Sequence, residues 1–335
     1  MSNTITDVAK KANVSIATVS RILNNQKGYS EKTKKKVLQV IEELGYEPNA
    51  IARGLINKKT ETIGVLFPSL SSLLTSEFLN GIESIAHAKE SSIIVCHTAD
   101  NGERTMKYLQ LLNEKRIDGL IFTSALLKEE YYEYMKKMKV PAVLLSTKSI
   151  DYPLPYVKVD DHDASYAATQ YLIQKGHKDI GMLSGNKSDP ISGRPRIEGY
   201  KQALQENNLT FEENAIVECK GFSYEDGKDN LERLVAQAPH ITAMFAASDE
   251  IAIGAMSAAY RLGIKVPDDL SIIGYDNLKI SEMTVPPLTT VAQPLFEMGA
   301  KAADQLFKMV DSIGDVYNIT MPHQIIERNS VKKFD

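Results

Sequence analysis

Arg194, Asp276 and Phe222 carry between them the chemistry that holds a polyhydroxylated ring. A planar guanidinium offers paired donors, a carboxylate accepts from hydroxyls, and an aromatic face suits C–H groups. The three stand in "SGRPRIEGY", "GYDN" and "KGFSYEDG", and Arg196 is the neighbouring alternative to Arg194. Ser69, Ser71, Ser146, Ser248, Asp249 and Gln293 also follow short apolar runs and are further candidates for such a pocket. Each of these residues taken singly reads equally well as a bonded loop residue, so the elements that would bring them together decide the matter.

Those elements begin at Ile63, where short apolar runs start to alternate with helical patterns. "IGVLFPS", "SIIVCHT", "DGLIFTS" and "PAVLLST" form one set, and "DIGMLSG", "AIVEC", "AMFAASD" and "LSIIGYD" repeat the plan. Strand–helix alternation predicts parallel sheets covered by helices on both faces. Two such runs predict two doubly wound subdomains with a cleft between the carboxyl ends of their strands, where all the candidates fall.

The first sixty residues differ in kind. They hold 11 Lys/Arg against 5 Asp/Glu, leaving 28 basic against 38 acidic residues for the rest of a chain whose formal charge is −4. A small basic head on an acidic body suits contact with a polyanion, although a solvated lysine-rich helix accounts for the charge equally well. The pattern is more informative. Thr4 to Asp7 has capping-box spacing, with Val8 and Ala12 on one face of the helix that follows. Asn13-Val14 breaks that helix and Ser15 can cap a second, in which Val19, Ile22 and Leu23 point inward. Ser30 caps a third, with Val37, Ile41 and Leu44 as its apolar stripe. Two short helices joined by a tight turn and braced by a third predict a helix-turn-helix.

Within "VSIATVSRILNN" the outer face holds Ala17, Ser20, Arg21 and Asn24. Short side chains there let the helix enter a major groove, and Arg21 is long enough to reach a base edge. Ser15, at a helix N-terminus, is placed to donate to a phosphate. Periodicity alone puts Ile16 beside Val19 and Leu23, on the inner side.

Other chemistries find little support. "GFSYEDGK" has the wrong spacing for a phosphate loop, and no GxSxG, HExxH or GxGxxG occurs. The six histidines show no ligand spacing, so neither a metal nor a cofactor nor catalysis is expected. Cys96 and Cys219 lie in apolar, strand-like segments and read as buried free thiols of a reducing compartment. The start "MSNTITDVAKK" lacks a secretory apolar region and no run approaches membrane-spanning length, which predicts a cytoplasmic protein with no membrane partner.

"ITDVAKKANVSIATVSRILNN", "VLQVIEELGYEPNAIARGL" and the C-terminal "IIERNS" resemble the LacI/GalR (lactose-repressor) family of transcriptional regulators along essentially the whole chain. The resemblance implies an α/β protein with an all-α helix-turn-helix head and a body like the periplasmic sugar-binding proteins. It also implies a homodimeric repressor of operator DNA, with a small sugar or sugar phosphate as effector. The segments expected are a head at 1–46, a hinge helix and linker at 47–60, and a body at 61–335. Three crossovers would divide the body into about 61–160 with 290–320, and about 161–289 with 321–335. No heptad pattern leads up to Asp335, which favours a dimer over a tetramer.

The residues expected to contact DNA are Thr4, Ser15, Ile16, Ala17, Thr18, Arg21 and Asn24 of the head and Asn49, Ala52 and Leu55 of the hinge, with Ile16, Ala17 and Arg21 matching the family's base-reading positions. A hinge of about two turns containing Gly54 is too short to persist alone in water, so DNA decides whether it forms. Leu55 matches a side chain that wedges into the central base step. In the pocket, Arg194 matches the effector-binding arginine, Asp276 the hydroxyl-binding aspartate and Phe222 the stacking aromatic. Two positions depart from the family: Leu74 replaces a common phenylalanine, and Ser146 replaces the usual aspartate. "PHQIIERNS" and "AASDEIAIGA" also resemble the catabolite-control branch, which answers to a phosphorylated carrier protein. Asp304 stands where that branch typically has an arginine, and a carboxylate facing a phosphoprotein has the wrong sign.

Overall fold

The computed structural model describes residues 3–23, 27–46, 59–99, 102–123 and 126–334. The chain divides into two compact units, residues 1–61 and 62–335.

In the first unit, helix α1 (Ile5–Ala12) opens with a complete capping box. Thr4 accepts from the Asp7 backbone N–H, and the Asp7 carboxylate accepts from the Thr4 backbone N–H. These bonds hold the exposed Asp7 carboxyl below its ordinary range. Asn13 ends the helix in the left-handed region, φ 53°. Helix α2 (Ile16–Leu23) starts where the Ser15 hydroxyl accepts from the Thr18 N–H at 3.1 Å. Ser30 caps α3 (Glu31–Leu44), and Gly45 closes it at φ 56°. Val8, Ala9, Ala12, Val19, Ile22, Val37 and Val40 form the small core.

The second unit contains two six-stranded sheets. The first has strand order β11-β5-β4-β3-β1-β2 and the second β12-β10-β9-β8-β6-β7. The first sheet comprises β1 (Thr62–Phe67), β2 (Ser92–His97), β3 (Gly119–Phe122), β4 (Ala142–Leu145), β5 (Tyr156–Val159) and β11 (Ile319–Met321), all parallel. The second comprises β6 (Ile180–Ser184), β7 (Ile216–Glu218), β8 (Ala243–Ala246), β9 (Ser271–Asp276), β10 (Thr289–Ala292) and β12 (Gln324–Ile326). Here β12 runs antiparallel to β10, an exception to the all-parallel expectation. Central strands such as β3, β4, β8 and β9 are buried at every residue, because helices cover both faces.

Helices α4 (Leu73–Ala88), α5 (Thr105–Glu114) and α6 (Glu129–Met138) belong to the first sheet. Helices α7 (Asp161–Gln174), α8 (Gly193–Glu206), α9 (Tyr224–Gln237) and α10 (Asp249–Leu262) belong to the second. Helix α11 (Leu295–Asp311) packs on α4 and on β3, β4 and β5. The chain therefore crosses between sheets three times: after Val159, after Ala292, and between Met321 and Gln324. The second crossing comes later than residue 290, because Thr290, Val291 and Ala292 pair with β9 of the second sheet. Among the described residues no helix is long and apolar enough to cross a membrane, and both cysteines are buried and free.

Candidate functional site

On the head, α2 keeps Val19 and Ile22 inside and leaves Ser15, Ile16, Ala17 and Arg21 exposed, with Thr18 half-buried. Ile16 is 47% exposed, so it does not pack beside Val19 as periodicity suggests. It is the first residue of the helix. A β-branched apolar side chain exposed to solvent suits apolar contact with a base edge. The Ser15 hydroxyl also shares a bond with the Thr18 hydroxyl at 2.9 Å, so the two sit together at the start of the helix. Asn24, Asn49, Ala52 and Leu55 lie outside the described residues.

In the body, the pocket candidates sit at or just beyond the carboxyl ends of strands, or at the start of the helix that follows. Two close approaches shape this end of the second sheet. Phe222 lies so near Gly185 that a Cβ there would stand 2.4 Å from its ring. Asp249 lies so near Gly274 that a Cβ would stand 2.3 Å from a carboxylate oxygen. Asp249 is fully buried, accepting from the Thr290 hydroxyl at 2.5 Å and from the Leu278 N–H at 2.7 Å. Burial and the neighbouring Asp276 push its carboxyl well above the usual range. Ser248 caps α10 through the Ile251 N–H and donates to the Phe222 carbonyl at 2.8 Å. Asp249 and Ser248 thus hold the framework, and Asp276, Gln293 and Phe222 are what it presents.

Asp276 is 4% exposed and stands at φ 122°, followed by Asn277 at φ 58°. Two successive non-glycine residues in these regions mark stored backbone strain of the kind found at ligand clamps. The Asp276 carboxylate accepts from the Gln293 side-chain amide at 2.7 Å. Burial pushes its carboxyl up to about 7, against the pull of Arg196 and Gln293. Arg328, from the "IIERNS" motif, steadies the strained turn by donating to the Asn277 side chain at 2.8 Å and to the Leu288 carbonyl at 2.8 Å.

Of the two arginines Arg194 and Arg196, the one turned inward is Arg196. Arg194 is the second residue of α8 and its side chain is exposed. Arg196, two residues on, points into the interior and is 7% exposed. Its Nε donates to Asp161 Oδ1 at 2.7 Å, Nη2 lies 2.7 Å from the same oxygen, and Nη1 donates to the Ala247 carbonyl. Its guanidinium carbon stands 3.8 Å from the Tyr275 ring centre and 5.2 Å from that of Phe222. Asp161 also accepts from the Tyr275 hydroxyl at 3.1 Å and from the buried Lys158 ammonium. Burial, with Arg196 and Lys148 nearby, pushes Lys158 down to about 7. Lys158 belongs to the first sheet and Asp161 to the second subdomain, so this cluster spans the first crossing. The sequence reading missed both. The signal available was "YVKV", a lysine at an interior position of an apolar strand, where an unpaired charge would be costly.

On the opposite wall Ser69 and Ser71 share a hydrogen bond at 3.1 Å. Leu74 is half-buried on α4, and Ser146 turns at φ 55° after β4. Ser72 donates to Glu250 of α10 at 3.0 Å, which ties the two walls together. A cavity of about 470 Å³, lined by Glu77, Asn277, Gln293, Phe296 and His323 among others, opens beside the second and third crossings. It shares Gln293 with the cluster but lacks its buried charges. Asp160, His162 and Asp163 also gather at the start of α7. There the Asp160 carboxylate accepts from the His162 and Asp163 N–H groups, which is the work of a helix cap.

A model of the bacterial regulatory proteins of the lacI family matches residues 4–49, and one of a periplasmic binding protein-like domain matches residues 169–331. The catabolite control protein A of Priestia megaterium is 40% identical over 333 residues, spanning 99% of this chain and all of that one. The chain belongs to the lacI family. It is a helix-turn-helix transcriptional repressor of that type. Among solved lacI-family structures, the lac repressor dimer bound to operator and the anti-inducer ONPF superposes with TM-score 0.87 at 28% identity, over 99% of this chain and all of that one. A lacI-family regulator from Enterococcus faecium with bound ribose gives TM-score 0.74 at 30% identity, over 82% of this chain and all of that one. LacI-family regulators work by binding DNA and small effectors.

Proposed function

We propose that the protein is a cytoplasmic, homodimeric repressor that acts without catalysis and whose affinity for operator DNA is set by a small sugar or sugar phosphate in the cleft. The observation that carries this reading is the position of the cleft's polar groups. Arg196 and Asp161 sit where the chain first crosses between sheets, and Gln293 bonds Asp276 at the second crossing. A ligand gripping these groups changes the relation of the two subdomains, and can shift an equilibrium by its differential affinity for the two arrangements.

Several features support the partners. The lac repressor structure is a dimer on operator, and the Enterococcus faecium regulator holds ribose. Tyr260 is 87% and Val285 95% exposed, and Leu262 and Met283 lie open near them in sequence, an apolar set suited to a second copy. The hinge residues Asn49, Ala52 and Leu55 complete the DNA contact, with Leu55 as the wedge in the minor groove. Thermal-shift screening against neutral sugars and sugar phosphates, followed by fluorescence anisotropy on labelled operator, tests the reading. A sugar that shifts melting and also changes operator affinity supports it; binding with no change in operator affinity in either direction removes the control.

The 40% identity to a catabolite control protein favours a second reading, in which a phosphorylated carrier protein acts as corepressor. Asp304 opposes it: the carboxylate pairs with Lys308 at 2.7 Å on α11. Tightening of operator binding by such a carrier, with no response to sugars, would establish that alternative.

A further inference from the structure

The guanidinium of Arg196 has little left to offer an anion. Nε donates to Asp161 and Nη1 to the Ala247 carbonyl, and Nη2 lies 2.7 Å from the same Asp161 oxygen. Tyr275 lies against the guanidinium, and Phe222 stands nearby. The Asp161 carboxylate, 3% exposed and so held within the protein, also lies against the guanidinium and is shared with the Lys158 ammonium. A phosphate-binding arginine needs the opposite arrangement, with a free fork.

The surroundings act in the same direction. Asp276 and Asp249 are buried beside the site, and Glu250 bears on Asp276. Asp160 and Asp189 stand close enough to act on Lys158. Lys158 is itself spent on Asp161, and Lys148 is the further cation acting on this cluster. A dianionic ester entering here would face the Glu250, Asp160 and Asp189 carboxylates, and like charges repel. What remains is suited to hydroxyls: guanidinium N–H groups, the Asp276 and Gln293 side chains, the serines of the opposite wall and one aromatic ring.

We propose that the cleft selects an uncharged polyol and rejects its phosphate ester, with Asp161 as the residue that sets this choice by occupying Arg196. The proposal rests on the sugar-effector reading above and narrows it. Asp161 is a specificity-determining residue, acting on the ligand through Arg196.

The test uses the full chain and matched pairs: ribose with ribose 5-phosphate, glucose with glucose 6-phosphate, and fructose with fructose 1-phosphate. Isothermal titration should find at least one neutral sugar bound at least tenfold more tightly than its ester. In Asp161→Asn the acceptor oxygen stays but Arg196 loses its carboxylate countercharge, and ester affinity should rise tenfold or more while the neutral sugar changes less. If Asp161→Asn fails to fold, the double variant Lys158→Met with Asp161→Asn removes the buried pair together, which cores tolerate better than a lone buried charge. It should show the same gain for esters. Equal or tighter binding of the ester by the wild-type chain overturns this inference and leaves the sugar reading standing. An Asp161 variant that folds but gains nothing for esters overturns the role of Asp161. No response to any sugar in either form overturns both the inference and the reading beneath it.

Discussion

The side-chain amide of Gln293 donates to the carboxylate of Asp276 at 2.7 Å, joining the end of β10 to the end of β9 where the chain makes its second crossing. Gln293→Ala leaves a buried acceptor without its donor, a loss of about 1–3 kcal/mol. Sugar affinity should fall about ten- to a hundred-fold, while operator binding without sugar stays unchanged. Titration of labelled operator complexes with the sugar would read both. An unaltered sugar response would mean that the bond serves the fold alone.

Arg196 and Arg194 are two residues apart and should behave oppositely. Arg194→Ala removes an exposed side chain and should change stability by no more than about 0.5 kcal/mol. Arg196→Ala leaves Asp161 with less of its charge matched inside the protein and should cost about 3 kcal/mol, together with the sugar response. Denaturant melts of the two variants decide the assignment, and a large loss in Arg194→Ala would reverse it.

Arg21 is exposed on the outer face of α2, with the core on the other side. Arg21→Ala should cost about 1–3 kcal/mol on cognate operator and relax the preference at one base pair in each half-site. Competition against a set of single-base operator variants would show it. Equal losses on cognate and scrambled DNA would reduce Arg21 to a phosphate contact.

Leu55 carries the wedge of the hinge in the proposed function. Leu55→Ala should lower operator affinity and the bend angle of the bound DNA, measured by circular-permutation gel shift, and leave the melting of the body unchanged. A bend that persists in the variant removes the wedge.

Asp276 ionises at about 7 in the folded chain, against an ordinary 3.8. Between about pH 4 and 7 the unfolded chain therefore binds fewer protons at this position than the folded one, and its contribution to stability falls as pH rises. Lys158, lowered from 10.5 to about 7, acts with the opposite sign above pH 7, where the unfolded chain holds the proton that the folded chain releases. Over pH 4–7 the melting temperature of Asp276→Asn should accordingly gain less on acidification than that of the wild type. Parallel curves would mean that Asp276 titrates as an ordinary carboxyl.

Much of the fold was legible because period-3.6 and strand–helix patterns are direct consequences of burial. Each of the eight apolar runs named in the body falls on a strand of the two sheets, seven of them containing the whole strand. The strands without a name in that reading, β5, β10, β11 and β12, are short, and "YVKV" and "TTVA" carry polar residues that blur the apolar signal. They border the crossings, where the sequence serves two subdomains at once. Asp276, Gln293 and Phe222 do stand at or just past strand ends, as their segments implied. Spacing within "GRPR" leaves Arg194 and Arg196 as alternatives, because it does not reveal which arginine α8 turns inward. Lys158 and Asp161 were illegible because a buried ion pair is defined by its partners, and those lie on different elements.

The order in which the sheets are completed bears on how the protein is made. The head needs nothing beyond about Tyr46, and its contacts are local, so it can fold early on the ribosome. The body cannot finish early: β11 completes one sheet and β12 the other, and both come from residues 319–326. A nascent chain thus carries a finished DNA-reading face through most of its synthesis, and acquires the part that takes instruction only as translation passes its last strand.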